Sequence, residues 1–321
     1  MKAVVFTRYG TADVLELRDV PRPTPIDDEV LIRVRAVAIN DWDWQALQGI
    51  PFVNRLTFGL RKPKKQILGS DIAGVVEAVG KNAKRFRLGD EVFGDLSGRW
   101  GGFAEYVCAR EDMLAPKPAG LTFEETAAIP QAAMLAVQAL RDKGRIRQGQ
   151  KLLVNGAGGG VGTFAIQIAR PYWAETTGVD STAKLAMLRS LGYDYVLDYA
   201  QEDFTRTGKQ YDLILDVKTN RSIFAYLRAL SPGGAYVTVG GSMGRLVQAM
   251  ALGPLVSMVR KKRVRVVALK PNKDLGYITE LVEAGQVRPA VDGRYTLGEA
   301  AAAMRYFGAG SHRGKVVLTV E

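Results

Sequence analysis

The sequence predicts an α/β protein of two domains, a compact barrel-like β domain and a doubly wound parallel sheet. The chain has 321 residues, which is long for one hydrophobic core and suits two domains. Its first third carries many short strand patterns, whereas strands alternate with helices from Lys151 onward. A glycine-rich segment, Gly156–Gly162, lies between the first of these alternating strands and the following helix.

Strand patterns dominate the first 115 residues. Val30–Ala38 alternates apolar and polar residues, as a half-buried strand does. Glycine turns bound further strand segments at Gly69–Gly80 and Gly89–Gly94. The chain returns to a strand at its end, in the segment GKVVLTVE. We therefore expect residues 1–121 and 271–321 to form one discontinuous domain.

Residues 122–270 are expected to form the second domain. Thr122 and Glu125 have the spacing of a capping box in front of an alanine-rich helix. The predicted strands are Lys151–Asn155, Thr176–Asp180, Tyr193–Asp198, Tyr211–Asp216, Ala235–Val239 and Val264–Leu269. The predicted helices are Val161–Ala169, Thr182–Leu191 and Arg221–Leu230. This alternation is typical of an open parallel sheet with helices on both faces.

Composition excludes several classes of function. Hydrophobic residues make up 47% and charged residues 24%, which is typical of a globular protein. With neither a membrane-spanning run nor a signal peptide in the sequence, we expect a cytoplasmic protein. Cys108 and His312 are the only cysteine and histidine, so an intrachain disulfide is impossible and a protein-ligated zinc is disfavoured. Cys108 is expected to be a buried structural thiol.

The net charge of +11 raises the question of nucleic acid or membrane binding. Basic residues cluster at 61–65 and 260–263, but no nucleic-acid-binding signature accompanies them. We expect solvated loops there, or a lip that attracts an anionic cofactor, and no nucleic-acid partner. Leu246–Arg263 is apolar and ends in basic charge. For it we favour a cleft-covering or dimer-contacting helix over a peripheral membrane contact.

The glycine-rich segment predicts a dinucleotide site. Pyrophosphate binds to backbone N–H groups at a helix N-terminus, and residues without bulky side chains let it approach. The residues assigned to it are Gly156, Ala157, Gly158, Gly159, Gly160, Val161 and Gly162. Asp180 ends the next strand, where a carboxylate can accept hydrogen bonds from the adenosine ribose of NADH. Lys184 could instead neutralise the 2′-phosphate of NADPH, so the choice of nucleotide stays open.

Segments in a fixed order resemble the medium-chain dehydrogenase/reductase superfamily, in its zinc-free quinone oxidoreductase branch (ζ-crystallin-like). They run essentially from end to end and include MKAVVFTRYG, GSDIAGVVEAVG, GDEVFG, GGFAEYV, AAIPQAAMLAVQAL, GAGGGVG, LGYDYVLDY, SPGGAYVTVGG and GKVVLTV. The resemblance implies a GroES-like catalytic domain, a Rossmann cofactor domain and a homodimer. Zinc-dependent members carry a cysteine in the segment Ala38–Asp43 and a histidine at the position of Ser70, and this chain has neither.

The resemblance also implies roles for particular residues. Asn40 and Asp43 match residues beside the nicotinamide and are the candidate catalytic residues, with Asn40 expected to orient the substrate. Ser181 and Tyr199 are assigned with Asp180 and Lys184 to the cofactor site, Tyr199 near the adenosine. Residues 239–241 (Val239, Gly240 and Gly241) match the strand tip that borders the nicotinamide.

Three departures from the branch concern the placement of the nicotinamide or the helix before Asp180. Pro171 must end that helix early, because proline lacks an N–H group and clashes with the preceding turn. Leu135 stands where threonine is usual, and Lys218-Thr219-Asn220 replaces a Val-Gly type of turn. The implied activity is hydride transfer from NAD(P)H to a quinone or an α,β-unsaturated carbonyl, without zinc and without an evident proton donor. The alternative is a dinucleotide-binding structural or regulatory protein with little turnover.

Overall fold

A computed structural model of the chain describes residues 1–321, apart from the side chains of residues 259 and 260. The chain divides into two compact units, Met1–Gln131 with Pro271–Glu321, and Ala132–Lys270. The sequence placed the first boundary earlier, after residue 121. The difference comes from the helix that starts at Phe123, which packs on strands of the first unit. The predicted domain limits themselves stay a prediction.

The described part of the chain contains fifteen strands. In chain order they are β1 (Lys2–Val5), β2 (Glu16–Asp19), β3 (Glu29–Ala38), β4 (Asp71–Val79), β5 (Glu91–Asp95), β6 (Tyr106–Arg110), β7 (Ala115–Pro116), β8 (Lys151–Asn155), β9 (Glu175–Asp180), β10 (Tyr195–Asp198), β11 (Tyr211–Asp216), β12 (Leu230–Thr238), β13 (Arg263–Val266), β14 (Val291–Thr296) and β15 (Lys315–Thr319).

Ten α-helices lie between these strands in the chain as the structure describes it. In chain order they are α1 (Asp41–Gln48), α2 (Arg55–Phe58), α3 (Phe123–Ala127), α4 (Pro130–Val137), α5 (Gly160–Ala169), α6 (Leu185–Ser190), α7 (Ile223–Ala229), α8 (Met243–Arg260), α9 (Leu275–Glu283) and α10 (Ala300–Gly308). Short 3₁₀ turns precede or follow several of them, and a π-helical segment, Gln138–Gly144, follows α4.

The first unit is built on a seven-stranded sheet. Its order is β14-β15-β3-β4-β5-β7, with β6 pairing β3 outside this path, and β1 and β2 form a separate ribbon. β3 is the central strand because it pairs with β4, β6 and β15. Side chains of β3 and β4 such as Val30, Ile32, Val34 and Ile72 form its hydrophobic core. The C-terminal strand thus completes the unit, as the sequence predicts.

The second unit is a six-stranded parallel sheet in the order β10-β9-β8-β11-β12-β13. The chain winds from β8 outward in one direction and from β11 outward in the other. The switch point, where ligands bind in such sheets, therefore lies at the carboxyl ends of β8 and β11. This confirms the predicted α/β class and the doubly wound sheet.

Most differences from the predicted elements are at their ends. β10 begins at Tyr195 instead of Tyr193, and β12 begins at Leu230 instead of Ala235. β13 covers Arg263–Val266 and stops before the predicted end at Leu269. α5 ends at Ala169, two residues before Pro171, as the missing N–H of proline requires.

The apolar segment Leu246–Arg263 forms most of α8 and the start of β13. Val247, Met250 and Met258 are exposed on it, and Pro254 lies inside the helix. Within the described part of the chain, none of the helices combines the length and the apolar character that crossing a membrane requires. Lys262 donates to the carbonyl oxygens of Leu227 and Leu230 at 2.8 and 2.7 Å, so this basic side chain has a structural partner. The side chain of Arg260 lies outside the described residues.

Candidate active site

The turn after β8 places backbone amides at the start of α5. Gly156 has a φ of +83°, a left-handed conformation that favours glycine. A Cβ on Gly162 would lie 2.4 Å from the carbonyl oxygen of Ala157, so only glycine lets α5 pass this close to the turn. Gly159 is the N-cap of α5, and no side chain in the described part of the chain caps the helix there. The amides of the first helical turn are therefore available to an anion.

Asp180, at the end of β9, ties this turn to the next strand. Its Oδ2 accepts a hydrogen bond of 2.8 Å from the Gly158 amide, and its Oδ1 accepts one of 2.9 Å from the Ser181 amide. Lys184 Nζ lies 3.6 Å from Oδ1, and both side chains are buried. The carboxylate and the ammonium group thus offset each other beside the glycine turn.

Tyr199 follows β10 and lies next to Asp180 in the backbone. Its amide donates to the carbonyl oxygen of Asp180 at 3.2 Å, and its side chain is 54% exposed. Asp198, which precedes it, accepts a hydrogen bond from the hydroxyl of Thr182, and this bond lowers the pKa of the Asp198 carboxyl. The sequence did not point to Asp198 or Thr182, although together they fix the turn that carries Lys184.

Tyr193 has a different role from the one predicted. The sequence included it in a strand, but it lies before β10 with its ring buried, and its hydroxyl donates to the carbonyl oxygen of Gly162 at 2.9 Å. Burial raises the pKa of this hydroxyl, so it stays a donor. The ring also packs on Gly178, where a Cβ would lie 3.1 Å from it. Tyr193 therefore fastens the start of α5 to β9.

Val239, Gly240 and Gly241 form the turn after β12. The amide of Val239 donates to the carbonyl oxygen of Asp216 at 3.1 Å, which holds this turn to the end of β11. The structure therefore brings all the residues predicted for cofactor binding to the carboxyl edge of one sheet. Residues 156–162, Asp180, Ser181, Lys184 and Tyr199 lie on the β8, β9 and β10 side, and residues 239–241 lie at the end of β12.

Asn40 and Asp43 belong to the first unit, at the end of β3. They form a capping box for α1, in which the Asn40 amide donates to Asp43 Oδ2 at 3.0 Å. The other carboxylate oxygen, Oδ1, accepts from the Gly69 amide at 2.9 Å. Both side chains are buried, and Asp43 is 0% exposed. Asp43 thus joins the end of β3 to the turn before β4.

A second buried group surrounds the Asn40 side chain. Asn40 Oδ1 accepts from Lys315 Nζ, which also donates to the carbonyl oxygen of Ile39 at 3.0 Å. Its Nδ2 donates to Ser70 Oγ at 3.4 Å. The Lys315 ammonium lies 3.9 Å from Asp71 Oδ2, and burial lowers its pKa. The sequence did not identify Lys315, because its partners lie at the opposite end of the chain.

Asp71 and Asp95 face each other across β4 and β5 and are both fully buried. Asp71 Oδ1 and Asp95 Oδ2 have no hydrogen-bond partner among the residues whose side chains the structure describes. Burial raises the pKa of both carboxyl groups, and the proximity of Asp95 raises that of Asp71 further. Two buried carboxyl groups so arranged share a proton more readily than they carry two charges.

The Asp43 carboxyl predicts a pH dependence of stability. Burial raises its pKa to about 7, from the 3.8 of an unperturbed aspartate. Its contribution to the free energy of unfolding is therefore full below about pH 4 and is lost as the pH rises through 7. Relative to an Asp43→Asn variant, we expect the wild type to lose about 3 kcal/mol between pH 5 and pH 8 in urea unfolding. A difference between the two proteins that stays constant over this range would contradict the prediction.

The donor set of the first unit does not fit a zinc ion. The segments that correspond to zinc-ligand positions supply Asn40, which accepts from Lys315, and Ser70, which accepts from Asn40. Cys108 is half-buried in β6 with its pKa raised by burial to about 11, and His312 stacks on Phe307. Among the described residues, no three His, Cys, Asp or Glu side chains form a group that could hold a metal. Independence from zinc stays a prediction.

Comparisons with known proteins agree with the fold. Residues 26–119 match the family described as alcohol dehydrogenase GroES-like domain, and residues 191–318 match the one described as zinc-binding dehydrogenase. A quinone oxidoreductase of Homo sapiens is 31% identical, over 99% of this chain and 97% of its own length. A 2-methylene-furan-3-one reductase of Solanum lycopersicum is also 31% identical, over 99% of this chain and 79% of its own length.

Among solved structures, the quinone oxidoreductase from Coxiella burnetii superposes with a TM-score of 0.89 at 28% identity, covering 100% of this chain and 99% of its own. The fold, the glycine turn and these matches define an NAD(P)H-dependent oxidoreductase, as the sequence predicts. The chain belongs to the medium-chain dehydrogenase/reductase superfamily, in its quinone oxidoreductase branch.

Proposed function

We propose that this chain is an NADH-dependent reductase that delivers hydride to a quinone or to the β-carbon of an α,β-unsaturated carbonyl, without zinc. The observation that supports it most directly is the glycine turn, whose helical amides stand uncapped beside the Asp180 carboxylate. Bound at this edge of the sheet, the reduced nicotinamide would supply the hydride. The protein would supply position and a dry environment.

The residues at the carboxyl edge fit a dinucleotide. The amides of Gly160, Val161 and Gly162 would hold the pyrophosphate, and glycine at 156, 158 and 159 with Ala157 keeps side chains out of its way. Asp180 would accept from the ribose hydroxyls, with Ser181 and the exposed ring of Tyr199 near the adenosine. Val239, Gly240 and Gly241 would border the nicotinamide at the switch point.

The Asp180–Lys184 pair favours NADH over NADPH. A 2′-phosphate at this edge would approach the Asp180 carboxylate, which repels it. Lys184 already lies against that carboxylate, at 3.6 Å, so its charge is offset within the protein. Each Asp180 oxygen has accepted one backbone hydrogen bond and retains a second lone pair, which a ribose hydroxyl can use.

For Asn40 and Asp43 we propose positioning roles. Both oxygens of Asp43 are bonded to backbone amides, and the Asn40 side chain is bonded to Lys315 and Ser70. These contacts favour a function in fixing the end of β3, while the direct contact with substrate expected for Asn40 stays a prediction. We infer the substrate class from the relatives, which are named for the reduction of quinones and of a methylene-furanone, a conjugated ketone.

Kinetics with purified protein test the proposal. NADH and NADPH are each mixed with a panel of quinones and enones, and loss of the reduced nicotinamide absorbance is followed. We expect turnover with at least one acceptor and a higher kcat/KM with NADH. Binding of nucleotide without any turnover would support the alternative, a dinucleotide-binding protein with a regulatory role. Absence of binding would overturn both. The homodimer and the cytoplasmic location stay predictions.

A further inference from the structure

A buried carboxylate lies at the ends of β11 and β12 in the second unit. Asp216 is the last residue of β11 and is 0% exposed. Its Oδ1 accepts from Asn155 Nδ2 at 2.7 Å and from the Lys218 amide at 3.2 Å. Its Oδ2 accepts from the hydroxyls of Thr219 and Tyr236, both at 2.8 Å. All four partners are donors, so the group acts only as an acceptor.

The hydroxyl of Thr219 is the centre of this network. Its hydrogen points to Asp216, and its oxygen faces the hydroxyl of Thr238, which shares its one hydrogen between Thr219 and the carbonyl oxygen of Gly240, 3.2 Å away. Tyr236, which stacks on Tyr226 with ring centroids 4.5 Å apart, likewise gives its hydrogen to Asp216. Thr219 is 2% exposed. One side chain thus links the ends of two neighbouring strands, β11 and β12.

The backbone of Thr219 extends the same link to the turn after β12. Its amide donates to the carbonyl oxygen of Gly240 at 3.1 Å, and its carbonyl oxygen accepts from the Ser242 amide at 2.8 Å. Gly241 has a φ of +118°, and a Cβ there would lie 2.3 Å from the Thr219 nitrogen. The turns 217–220 and 239–242 are therefore held against each other.

We propose that Thr219 is a positioning residue for the nicotinamide half of the cofactor, because its hydroxyl anchors it to Asp216 and Thr238 while its backbone bonds the turn 239–242. This inference rests on the proposed function. The turn Lys218-Thr219-Asn220 departs from the Val-Gly type usual in the branch, and the sequence alone suggested that the departure would disturb the nicotinamide. Glycine has no hydroxyl, so at position 219 it would leave both Asp216 and Thr238 without this partner.

The test compares two ligands on three proteins. Thr219→Val keeps the shape of the side chain and removes the hydroxyl, whereas Thr219→Ser keeps the hydroxyl. Affinities for NADH and for ADP-ribose, which lacks the nicotinamide, are measured by calorimetry. We expect Thr219→Val to lower the affinity for NADH about 10-fold and to change the affinity for ADP-ribose less than about 2-fold. Thr219→Ser should restore the affinity for NADH.

Three results would overturn the inference. Equal weakening of both ligands in Thr219→Val would show a general structural role, and unchanged NADH binding would show no role. A wild type that binds neither ligand would remove the proposed function and this inference with it. If Thr219→Val fails to fold, Thr238→Val is used instead, which removes the bonds of the Thr238 hydroxyl to Thr219 and to the carbonyl oxygen of Gly240. Thr238→Val should lower the affinity for NADH more than the affinity for ADP-ribose, and an equal loss for both ligands would again overturn the inference.

Discussion

Replacing Gly159 by valine is expected to weaken NADH binding about 100-fold. A Cβ at Gly159 would have its nearest neighbour, the carbonyl oxygen of Gly156, at 3.7 Å, which is ordinary contact. The backbone there is extended, with a φ of −87°, so a side chain is tolerated by the protein itself. The loss would come from the space in front of the helical amides, which the pyrophosphate needs.

Calorimetry with NADH and thermal unfolding without ligand check this prediction together. The melting temperature of the variant should stay within a few degrees of the wild type, since the N-cap change costs about 1 kcal/mol or less. Gly276→Val in α9 is the matched control, because a Cβ there meets nothing within 4 Å. Normal NADH affinity in Gly159→Val would place the diphosphate somewhere else.

Replacing Asp180 by serine is expected to shift the ratio of kcat/KM for NADPH over NADH about 100-fold toward NADPH. The change removes the carboxylate that repels a 2′-phosphate and that now offsets the charge of Lys184, 3.6 Å away. Serine is one bond shorter than aspartate, so a water molecule would have to bridge its hydroxyl to the Gly158 amide, which donates to Asp180 in the wild type. Thermal unfolding of the variant shows whether the turn keeps its stability.

A double variant identifies the group responsible. Asp180→Ser combined with Lys184→Met should lose the gain in NADPH affinity, because no cation then remains in the place of Lys184. Lys184→Met alone leaves the buried Asp180 carboxylate without its cation, so its thermal unfolding is measured as a control for stability. If the double variant uses NADPH as well as Asp180→Ser does, then the gain came from removing the carboxylate alone, and the assignment of Lys184 is wrong.

Much of the fold could be predicted from patterns of neighbouring residues. β8 and β11 have the bounds that the sequence predicts, and Thr122 and Glu125 form both hydrogen bonds of the predicted capping box. In each case the signal lies within a few consecutive residues, as apolar runs, turn glycines or a fixed spacing. Asn40 and Asp43 also have the spacing of a capping box, which could have identified their local contact before the structure did.

The partners of the buried polar groups could not be predicted in this way. Lys315 and Asn40 are 275 positions apart, and they meet only because β15 pairs with β3. Asp71 and Asp95 are opposed by the register of two antiparallel strands. Periodicity shows which face of a strand is buried, but it does not show which strand lies beside it or in what register.

The contact of Lys315 with Asn40 and Asp71 has a consequence for biosynthesis. Asp71 of β4 and Asp95 of β5 are synthesised early, whereas Lys315 of β15 is synthesised only after all of residues 132–270. All residues of the six-stranded sheet are therefore synthesised before Lys315. During synthesis, we therefore expect the middle segment to fold before the N-terminal strands, although those strands are synthesised first. The middle segment should become resistant to protease first and the N-terminal strands last.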